Sequence, residues 1–293
     1  MKVINFGSLN IDYTYRVDDF VRPGETKAAQ TLSINCGGKG LNQSVATARA
    51  GIETCHAGFV GKEGMFLVEK LRQCGVDTNW IKVVEESSGH AIIQVTDAGQ
   101  NCILIYTGTN GILTESYVEE VLSHFDHEDI VLVQNETNLV GSIMTKAKEK
   151  GMRIAFNAAP MDENVLTYPI EQVDWLFVNE TEGAAISGET DYHAIAATLR
   201  ERYPNTAVIL TLGEEGSIYA GKEGMFSVPA QTVKAVDTTA AGDTFTGFFL
   251  RGILDGRMPE EALRMASAAS AITVTRCGAA DSIPTLEEVI FPS

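Results

Sequence analysis

Cysteine is scarce in this sequence of 293 residues: the five cysteines are odd in number and form no Cys-x-x-Cys pair. Structural zinc sites and disulfide frameworks both need paired cysteines at short or regular spacings. We therefore expect reduced, mostly packed thiols, and neither a zinc centre nor a disulfide scaffold.

Basic residues are also few, since 22 lysines and arginines stand against 39 aspartates and glutamates, for a net charge of −17. Nucleic acids and anionic lipid surfaces are bound through patches of Lys and Arg, so this charge argues against both partners. No apolar run approaches the roughly 18 residues that span a bilayer, and the opening residues MKVINFGSLNID contain no signal-peptide core. The sequence thus predicts a cytoplasmic protein with no nucleic-acid or membrane partner.

Three common catalytic motifs are missing as well. The sequence contains no Gly-x-Ser-x-Gly, no Gly-x-Gly-x-x-Gly and no Walker A string. Their absence argues against a nucleophile-elbow hydrolase, a dinucleotide-dependent dehydrogenase and a P-loop enzyme, respectively. Any bound nucleotide must be held by a different kind of phosphate site.

Short β-branched runs alternate along the chain with longer helical stretches, and this alternation predicts an α/β protein with a mostly parallel sheet and helices on both faces. The predicted strands are 2–6, 129–133, 153–156, 175–178 and 207–212. The predicted helices are 38–50, 63–74, 114–124, 139–150, 191–203, 243–255 and 259–275.

Two regions interrupt this pattern, about residues 13–35 and 88–107, because they contain further strand-like runs separated by polar or Gly-containing turns. We interpret them as strands outside the main sheet that form a small lid, which would cover a substrate and exclude water. The alternative is that they are edge strands of the main sheet.

The most informative stretch is VDTTAAGDTFTG, residues 236–247. It places Ala240, Ala241 and Gly242 at the expected start of a helix, where unpaired backbone N–H groups bind anions. Asp243 would then stand beside a phosphate as a general base. The alternative is an aspartate that only caps the helix or interacts with its dipole.

Two further stretches carry polar groups suited to a polyol. GSLNID follows the first strand and places Asn10 and Asp12 near its carboxyl end, where open α/β sheets bind ligands. CGGKGLNQS combines glycines that permit close backbone approach with Lys39 and Asn42. An Asx turn remains the alternative for the first stretch.

In combination and in this order, GSLNID, PGET, GGKGLNQ, NETE, TLGEEG, DTTAAGDTF and AITVTRCGA resemble the ribokinase/PfkB carbohydrate kinase family, and most of all its ribokinase branch. The resemblance covers nearly the whole chain. It implies a single domain, 1–293, with a Rossmann-like α/β body and a small β-sheet lid, the ribokinase-like fold. It also implies transfer of the ATP γ-phosphoryl group to the primary hydroxyl of a sugar, D-ribose in that branch.

The resemblance assigns roles to individual residues. Asp243 is the implied catalytic base, and Ala240, Ala241 and Gly242 form the implied anion hole. The implied sugar-binding residues are Asn10, Asp12, Gly38, Lys39, Asn42, Glu136 and Asp243. The implied nucleotide-binding residues are Asn179, Thr211, Gly213, Gly216, Gly242 and Ser267.

Mg²⁺ and K⁺ are the implied metal ions. Asn179 and Glu182, in NETE, would position Mg²⁺, in part through water, although the same pattern is typical of a helix start. The implied K⁺ ligands are the Asp237 carboxylate, the carbonyls of Thr239, Thr273, Arg276 and Gly278, and Ser282.

The resemblance finally implies ATP and a sugar as partners, and a homodimer formed through the lid strands. Two alternatives stay open at this point. The chain is either a kinase of the same family for fructose, 2-keto-3-deoxygluconate, deoxyribose or a nucleoside, or a catalytically silent regulator that binds a sugar or nucleotide. Ala158 and Ser267 depart from the usual pattern, which leaves nucleotide preference open.

Overall fold

The computed structural model describes residues 1–290, and a nine-stranded sheet forms the centre of its fold. Its strands are β1 (Val3–Phe6), β4 (Thr54–Gly61), β5 (Asp77–Val84), β8 (Ile130–Gln134), β9 (Arg153–Asn157), β10 (Trp175–Asn179), β11 (Ala207–Thr211), β12 (Ser217–Gly221) and β13 (Gly224–Val228). Their spatial order is β13-β12-β11-β10-β9-β8-β1-β4-β5.

Most strand pairs of this sheet are parallel, and only the β11–β12 and β12–β13 pairs are antiparallel. Parallel strands need crossover connections, and these are supplied mainly by helices on the two faces. Because successive side chains of a strand point to opposite faces of the sheet, each strand contributes to two cores. Ile130 and Leu132 contribute to one core, and Val131 and Val133 contribute to the other.

Eight helices cover the two faces of the described chain. One face packs against α1 (Lys39–Arg49), α2 (Met65–Gln73), α7 (Ala241–Leu254) and α8 (Pro259–Val274). The other packs against α3 (Glu115–Leu122), α4 (Val140–Glu149), α5 (Glu180–Ser187) and α6 (Tyr192–Arg202). None of the helices in residues 1–290 is long and apolar enough to cross a membrane.

A second, four-stranded sheet stands apart from the first. Its strands are β2 (Asn10–Val17), β3 (Thr31–Gly37), β6 (Gly89–Thr96) and β7 (Asn101–Tyr106), in the spatial order β3-β2-β6-β7. It is built from the two regions that interrupt the α/β pattern. The prediction of a mostly parallel sheet covered on both faces, with a smaller separate sheet, is therefore confirmed.

Candidate active site

A cleft of about 1340 Å³ lies between the carboxyl edge of the large sheet and the inner face of the small sheet. We call it the central cleft. The parallel strands direct polar side chains into it from their carboxyl ends, as open α/β sheets generally do. These side chains are Glu136 after β8, Asn157 at the end of β9, Asn179 at the end of β10 and Thr211 at the end of β11.

The Gly-rich loop before α1 borders the cleft because its glycines fit where other residues do not. Gly38 has φ 95°, a left-handed conformation that favours glycine. Gly40 lies against β1's extension so closely that a Cβ would stand 2.1 Å from the Ser8 backbone nitrogen. The loop thereby brings Lys39 and Asn42 to the cleft wall.

Asp243 lies in the first turn of α7 and is 6% exposed. Its two carboxylate oxygens accept hydrogen bonds from α1: Asn42 Nδ2 donates to Oδ2 at 3.1 Å, and Gln43 Nε2 donates to Oδ1 at 2.9 Å. Both partners donate, one to each oxygen, so they hold the carboxylate in one orientation beside the cleft.

The turn that precedes Asp243 has an unusual backbone. Ala240 has φ 62°, in the left-handed region that non-glycine residues rarely occupy. Its carbonyl accepts hydrogen bonds from the Thr244 backbone N–H and from Thr244 Oγ1, both at 2.9 Å, and Thr244 Oγ1 also bonds Thr273 of α8 at 2.9 Å. The packing of α7 against α8 thus fixes the N-terminus of α7 at the cleft.

Asn10 is oriented by a neighbour from another segment. The Leu9 backbone N–H donates to Asn110 Oδ1 at 2.9 Å, so the Asn110 amide nitrogen must face the other way, where it donates to Asn10 Oδ1 at 2.7 Å. Because its oxygen is engaged, Asn10 presents its NH₂ donors to the cleft.

Three ionisable side chains determine the charge in the part of the cleft that is predicted to bind the sugar. Burial, reinforced by the negative charge of Glu136, raises the pKa of the Asp12 carboxyl to about 7. Burial also raises the pKa of Glu136, although the Lys39 charge and hydrogen bonds from Ser8 and the Lys39 N–H oppose it. Burial by itself would lower the pKa of Lys39, but the charges of Asp243, Glu136 and Glu182 raise it, so the ammonium is retained.

The NETE motif forms a capping box at the start of α5. Glu182 N donates to Asn179 Oδ1 at 2.9 Å, and Asn179 N donates to Glu182 Oε2 at 2.9 Å. Asn179 Nδ2 also bonds Glu182 Oε1 at 3.1 Å. The motif therefore forms a helix start, as the alternative interpretation predicted. Asn179 and Glu182 also line the cleft.

Asp237 joins the two loops predicted to hold K⁺. Its Oδ1 accepts from the Thr239 N–H at 2.9 Å and from Thr239 Oγ1 at 2.6 Å, and its Oδ2 accepts from the Gly278 N–H at 3.0 Å. Burial opposes these hydrogen bonds, but together they lower the pKa of Asp237, which keeps the carboxylate charged.

Most predicted site residues meet at the central cleft, but six lie outside its lining. Arg276 forms an ion pair with Glu288, and Ser282 donates to the Ala279 carbonyl at 2.7 Å. The six residues are Gly213, Gly216, Ser267, Thr273, Arg276 and Ser282. The roles assigned to them remain predictions.

Sequence reasoning missed the residues that hold the site in place. Gln43 stands inside the GGKGLNQS string, so its position there was a usable signal. Ser8, Asn110 and Gln134 gave no such signal, because their contacts join segments that are remote in sequence.

A buried carboxylate beside an open helix N-terminus, facing donors and acceptors suited to hydroxyl groups, is the arrangement of an enzyme that moves a phosphoryl group onto an alcohol. The family model described as pfkB family carbohydrate kinase matches residues 1–286. The chain therefore belongs to the pfkB family of carbohydrate kinases, and it is an ATP-dependent sugar kinase with the ribokinase-like fold.

Individual relatives agree with this assignment. The chain is 35% identical to a ribokinase of Haemophilus influenzae, over 97% of this chain and 95% of the relative. It is 31% identical to a deoxyribokinase of Salmonella typhi, over 98% and 97%. The structure of an Arabidopsis thaliana ribokinase complexed with ribose and ATP is similar, with a TM-score of 0.86 and 28% identity over 98% of this chain and 97% of that one.

Proposed function

We propose that the chain phosphorylates D-ribose at its primary hydroxyl, with ATP as donor, and gives D-ribose 5-phosphate. The observation that carries the proposal is the central cleft, where polyol-binding groups and Asp243 face one volume. The relatives named ribokinase and the neighbour complexed with ribose and ATP support the same acceptor. Deoxyribose is the second candidate, because a deoxyribokinase is also a close relative.

The polar groups of the cleft are complementary to a polyol. Asn42 Oδ1 is a buried acceptor without a hydrogen-bond partner within residues 1–290. A sugar hydroxyl that donates to it would satisfy this acceptor and offset the cost of burying it unpaired. Asn10 supplies NH₂ donors, and Asp12 supplies acceptors when it is ionised. A hydroxyl both donates and accepts, which suits this mixed set.

In the proposed reaction, Asp243 accepts the proton of the primary hydroxyl while that oxygen bonds to the γ-phosphorus of ATP. The bond from the γ-phosphorus to the bridging oxygen breaks, and ADP leaves with its electron pair. The backbone N–H groups of Ala241 and Gly242, at the N-terminus of α7, stabilise the charge on the transferred group. Lys39 keeps its ammonium and adds positive charge nearby.

The residues fit Mg²⁺ through water rather than as direct ligands. The described residues include no cluster of three or more His, Cys, Asp or Glu side chains that would cage a metal. Both oxygens of Glu182 accept hydrogen bonds from Asn179, which leaves water-mediated contact as the suitable mode. Bound to the ATP phosphates, Mg²⁺ would neutralise charge during transfer.

We also propose that K⁺ binds at the loops joined by Asp237 and activates the enzyme. The ionised Asp237 carboxylate supports this part of the proposal, and the backbone carbonyls of the two loops would supply the remaining oxygen ligands. Because this loop continues directly into Ala240 and α7, a cation there would act on the predicted anion hole.

The test of the proposed function is a coupled ADP-release assay with D-ribose, 2-deoxyribose, fructose, 2-keto-3-deoxygluconate and adenosine, with Mg²⁺ present and with or without K⁺. We expect the highest kcat/KM with D-ribose and a higher rate with K⁺. Preference for another acceptor would retain the kinase chemistry and overturn the assignment of ribose.

The pKa of Asp12 gives a pH prediction. With a pKa of about 7, its ionised fraction rises about tenfold between pH 6 and pH 8. The ionised form accepts hydrogen bonds from two hydroxyl groups through its two oxygens, so the KM for D-ribose is expected to fall by up to about tenfold over this interval. Initial rates measured across the interval check this.

The raised pKa of Asp12 also makes the folding stability depend on pH. Because it is raised above the unfolded value, the stability that Asp12 contributes is complete in acid and is lost as the pH rises through about 7. Ribose is expected to bind more tightly when Asp12 is ionised, so the stabilisation that it gives in thermal unfolding is expected to grow from pH 6 to pH 8. Asp12→Asn is the control, since it has no titrating carboxyl; a KM that varies equally in both proteins contradicts the prediction.

We also propose that the chain forms a homodimer through the small sheet. Leu104 on β7 is 68% exposed and Ile34 on β3 is 53% exposed, on strands that form the two edges of that sheet. Exposed apolar strands at sheet edges are normally covered by a partner. Light scattering at micromolar concentration is expected to give the mass of two chains.

Leu104→Glu is expected to shift that mass toward one chain, because a carboxylate cannot be buried unpaired in the interface. Leu166→Glu is the matched control, since Leu166 is 58% exposed in a short 3₁₀ turn of the large domain body, outside the small sheet. A monomeric wild type, or equal masses for both variants, would contradict the proposal.

A further inference from the structure

A series of buried amide side chains leads from the first strand of the large sheet to Asp243. We call Asn5, Gln134 and Gln43 the amide relay. They are 0%, 1% and 0% exposed, and none of them lines the central cleft. No sugar- or nucleotide-binding role accounts for three fully buried amides at this place.

The hydrogen bonds of the amide relay are short and continuous. Asn5 Nδ2 donates to the Gly40 carbonyl at 2.8 Å, and Gln134 Nε2 donates to Asn5 Oδ1 at 3.0 Å. Gln134 Nε2 also donates to Gln43 Oε1 at 2.7 Å, and Gln43 Nε2 donates to Asp243 Oδ1 at 2.9 Å. The relay therefore ends on the carboxylate assigned as the base.

The direction of these bonds is fixed from the backbone. A carbonyl only accepts, so Gly40 requires the NH₂ of Asn5, and the Asn5 oxygen is left to accept from Gln134. Gln134 then directs its NH₂ at the oxygen of Gln43, and the only group that Gln43 has left for Asp243 is its own NH₂. An amide rotation within the relay would bring two donors or two acceptors together.

The relay itself does not titrate. Besides Asp243 at its end, the relay is linked through Ser44 to the ionisable side chain of His56: Asn5 Nδ2 donates to Ser44 Oγ at 2.8 Å, and Ser44 Oγ bonds His56 Nδ1 at 2.8 Å. Burial lowers the pKa of His56 to about 4, so this imidazole is neutral at working pH. The donor from Gln43 is therefore constant across neutral pH.

We propose that the amide relay is a positioning device for Asp243: it holds the carboxylate in one orientation, so that the base is in place when the sugar binds. The inference rests on the proposed function, in which Asp243 is the base. A hydrogen bond between an amide donor and a carboxylate is charge-assisted and directional, so a fixed donor fixes the position of the oxygen that accepts it. Asn42 donates to the other oxygen, from the cleft side.

Other charges also face Asp243, and they set the background against which the relay acts. Lys39, from the start of α1, interacts attractively with it, and Glu136, which follows β8, interacts repulsively. Neither residue contacts the relay amides through a hydrogen bond in the described part of the chain. Removing a relay amide therefore changes one donor and leaves both charges in place.

The test uses Gln43→Met and Gln134→Met, which replace an amide by an apolar side chain of similar length. In the D-ribose assay, Gln43→Met is expected to lower kcat about tenfold to thirtyfold, with KM values for ribose and ATP changed less than threefold. A loss confined to kcat separates a misplaced base from a general loss of structure, which would also raise the KM values. Gln134→Met acts one bond further away and is expected to show the same effect on kcat at smaller size.

Two controls make the outcomes distinct. Gln73→Met, at an exposed position of α2, is expected to leave kcat and both KM values unchanged. Asp243→Asn is measured in parallel, and its retained turnover would overturn the base assignment and with it the proposed function. If Asp243→Asn is inactive while both relay variants keep the wild-type rate, or lose kcat with KM values raised in proportion, the relay proposal alone is overturned. Gln134→Met keeps the test informative should Gln43→Met fail to fold.

Discussion

Asp243→Asn is expected to lower kcat roughly 1,000-fold, within the range that positioned general bases contribute. The asparagine keeps the shape of the side chain but cannot take the proton of the attacking hydroxyl. The KM for the sugar is expected to change only a few fold, because the other polar groups of the cleft are retained. Steady-state rates with D-ribose, together with calorimetric binding of the sugar, measure both quantities.

The substitution also has a cost in the folded state. Asn42 and Gln43 donate to both carboxylate oxygens, so the new amide must turn its NH₂ toward one of these donors. A thermal melt therefore accompanies the kinetics. Asp255→Asn, at the other end of α7 where Asp255 pairs with Arg251, is the matched control. A loss of kcat below tenfold for Asp243→Asn would refute the assigned role.

Asp12→Ala is expected to produce the second-largest effect, a loss of roughly 100-fold in kcat/KM for the sugar. Removing a charged partner from a hydrogen bond costs about 1.5–3 kcal/mol, and the lost carboxylate has two acceptor oxygens. Asp12 lies on β2 and faces the central cleft from the small sheet. Most of the loss is expected in KM, because Asp12 binds the sugar and does not accept its proton.

Measurement of KM for D-ribose and, separately, for ATP at pH 8 checks this assignment, because only the first is expected to rise. Asp18→Ala provides the comparison: Asp18 lies just after β2, and its exposed carboxylate pairs with Lys27. Equal changes in the two KM values for Asp12→Ala would place the residue outside the sugar subsite.

The regular elements of the fold were predictable where a local pattern was strong. The helix predicted at 243–255 is Ala241–Leu254, and the strand predicted at 153–156 is Arg153–Asn157. The predictions missed β4, whose sequence TCHAGFVG is buried throughout but lacks the β-branched run that marks a strand. They also missed α5, since its eight residues are too few for a clear helical period.

One repeated string shows why local sequence is not enough. GKEGMF occurs at residues 61–66 and again at 221–226. The first copy ends β4, passes through a 3₁₀ turn and begins α2, whereas the second forms the turn between β12 and β13. The flanking residues and their packing partners decide between the two structures.

The candidate site was predictable to the extent that its residues stand in compact motifs. Asn10, Asp12, Lys39, Asn42 and Asp243 all do, and all line the central cleft. The amide relay was not predictable, because two of its members are 129 positions apart in the chain. They meet only because β8 is the neighbour of β1 in the sheet, and strand order is not written in either motif.

The left-handed turn at Ala240 has a consequence for the timing of order in the catalytic cycle. Two hydrogen bonds from Thr244 and the contact of α7 with α8 hold this turn through the protein's own groups. The conformational entropy of the turn is therefore lost once, during folding, and not again at each turnover. Binding of ATP then has one less segment to order, so a favourable part of its binding free energy is not offset by freezing the backbone that receives the phosphate.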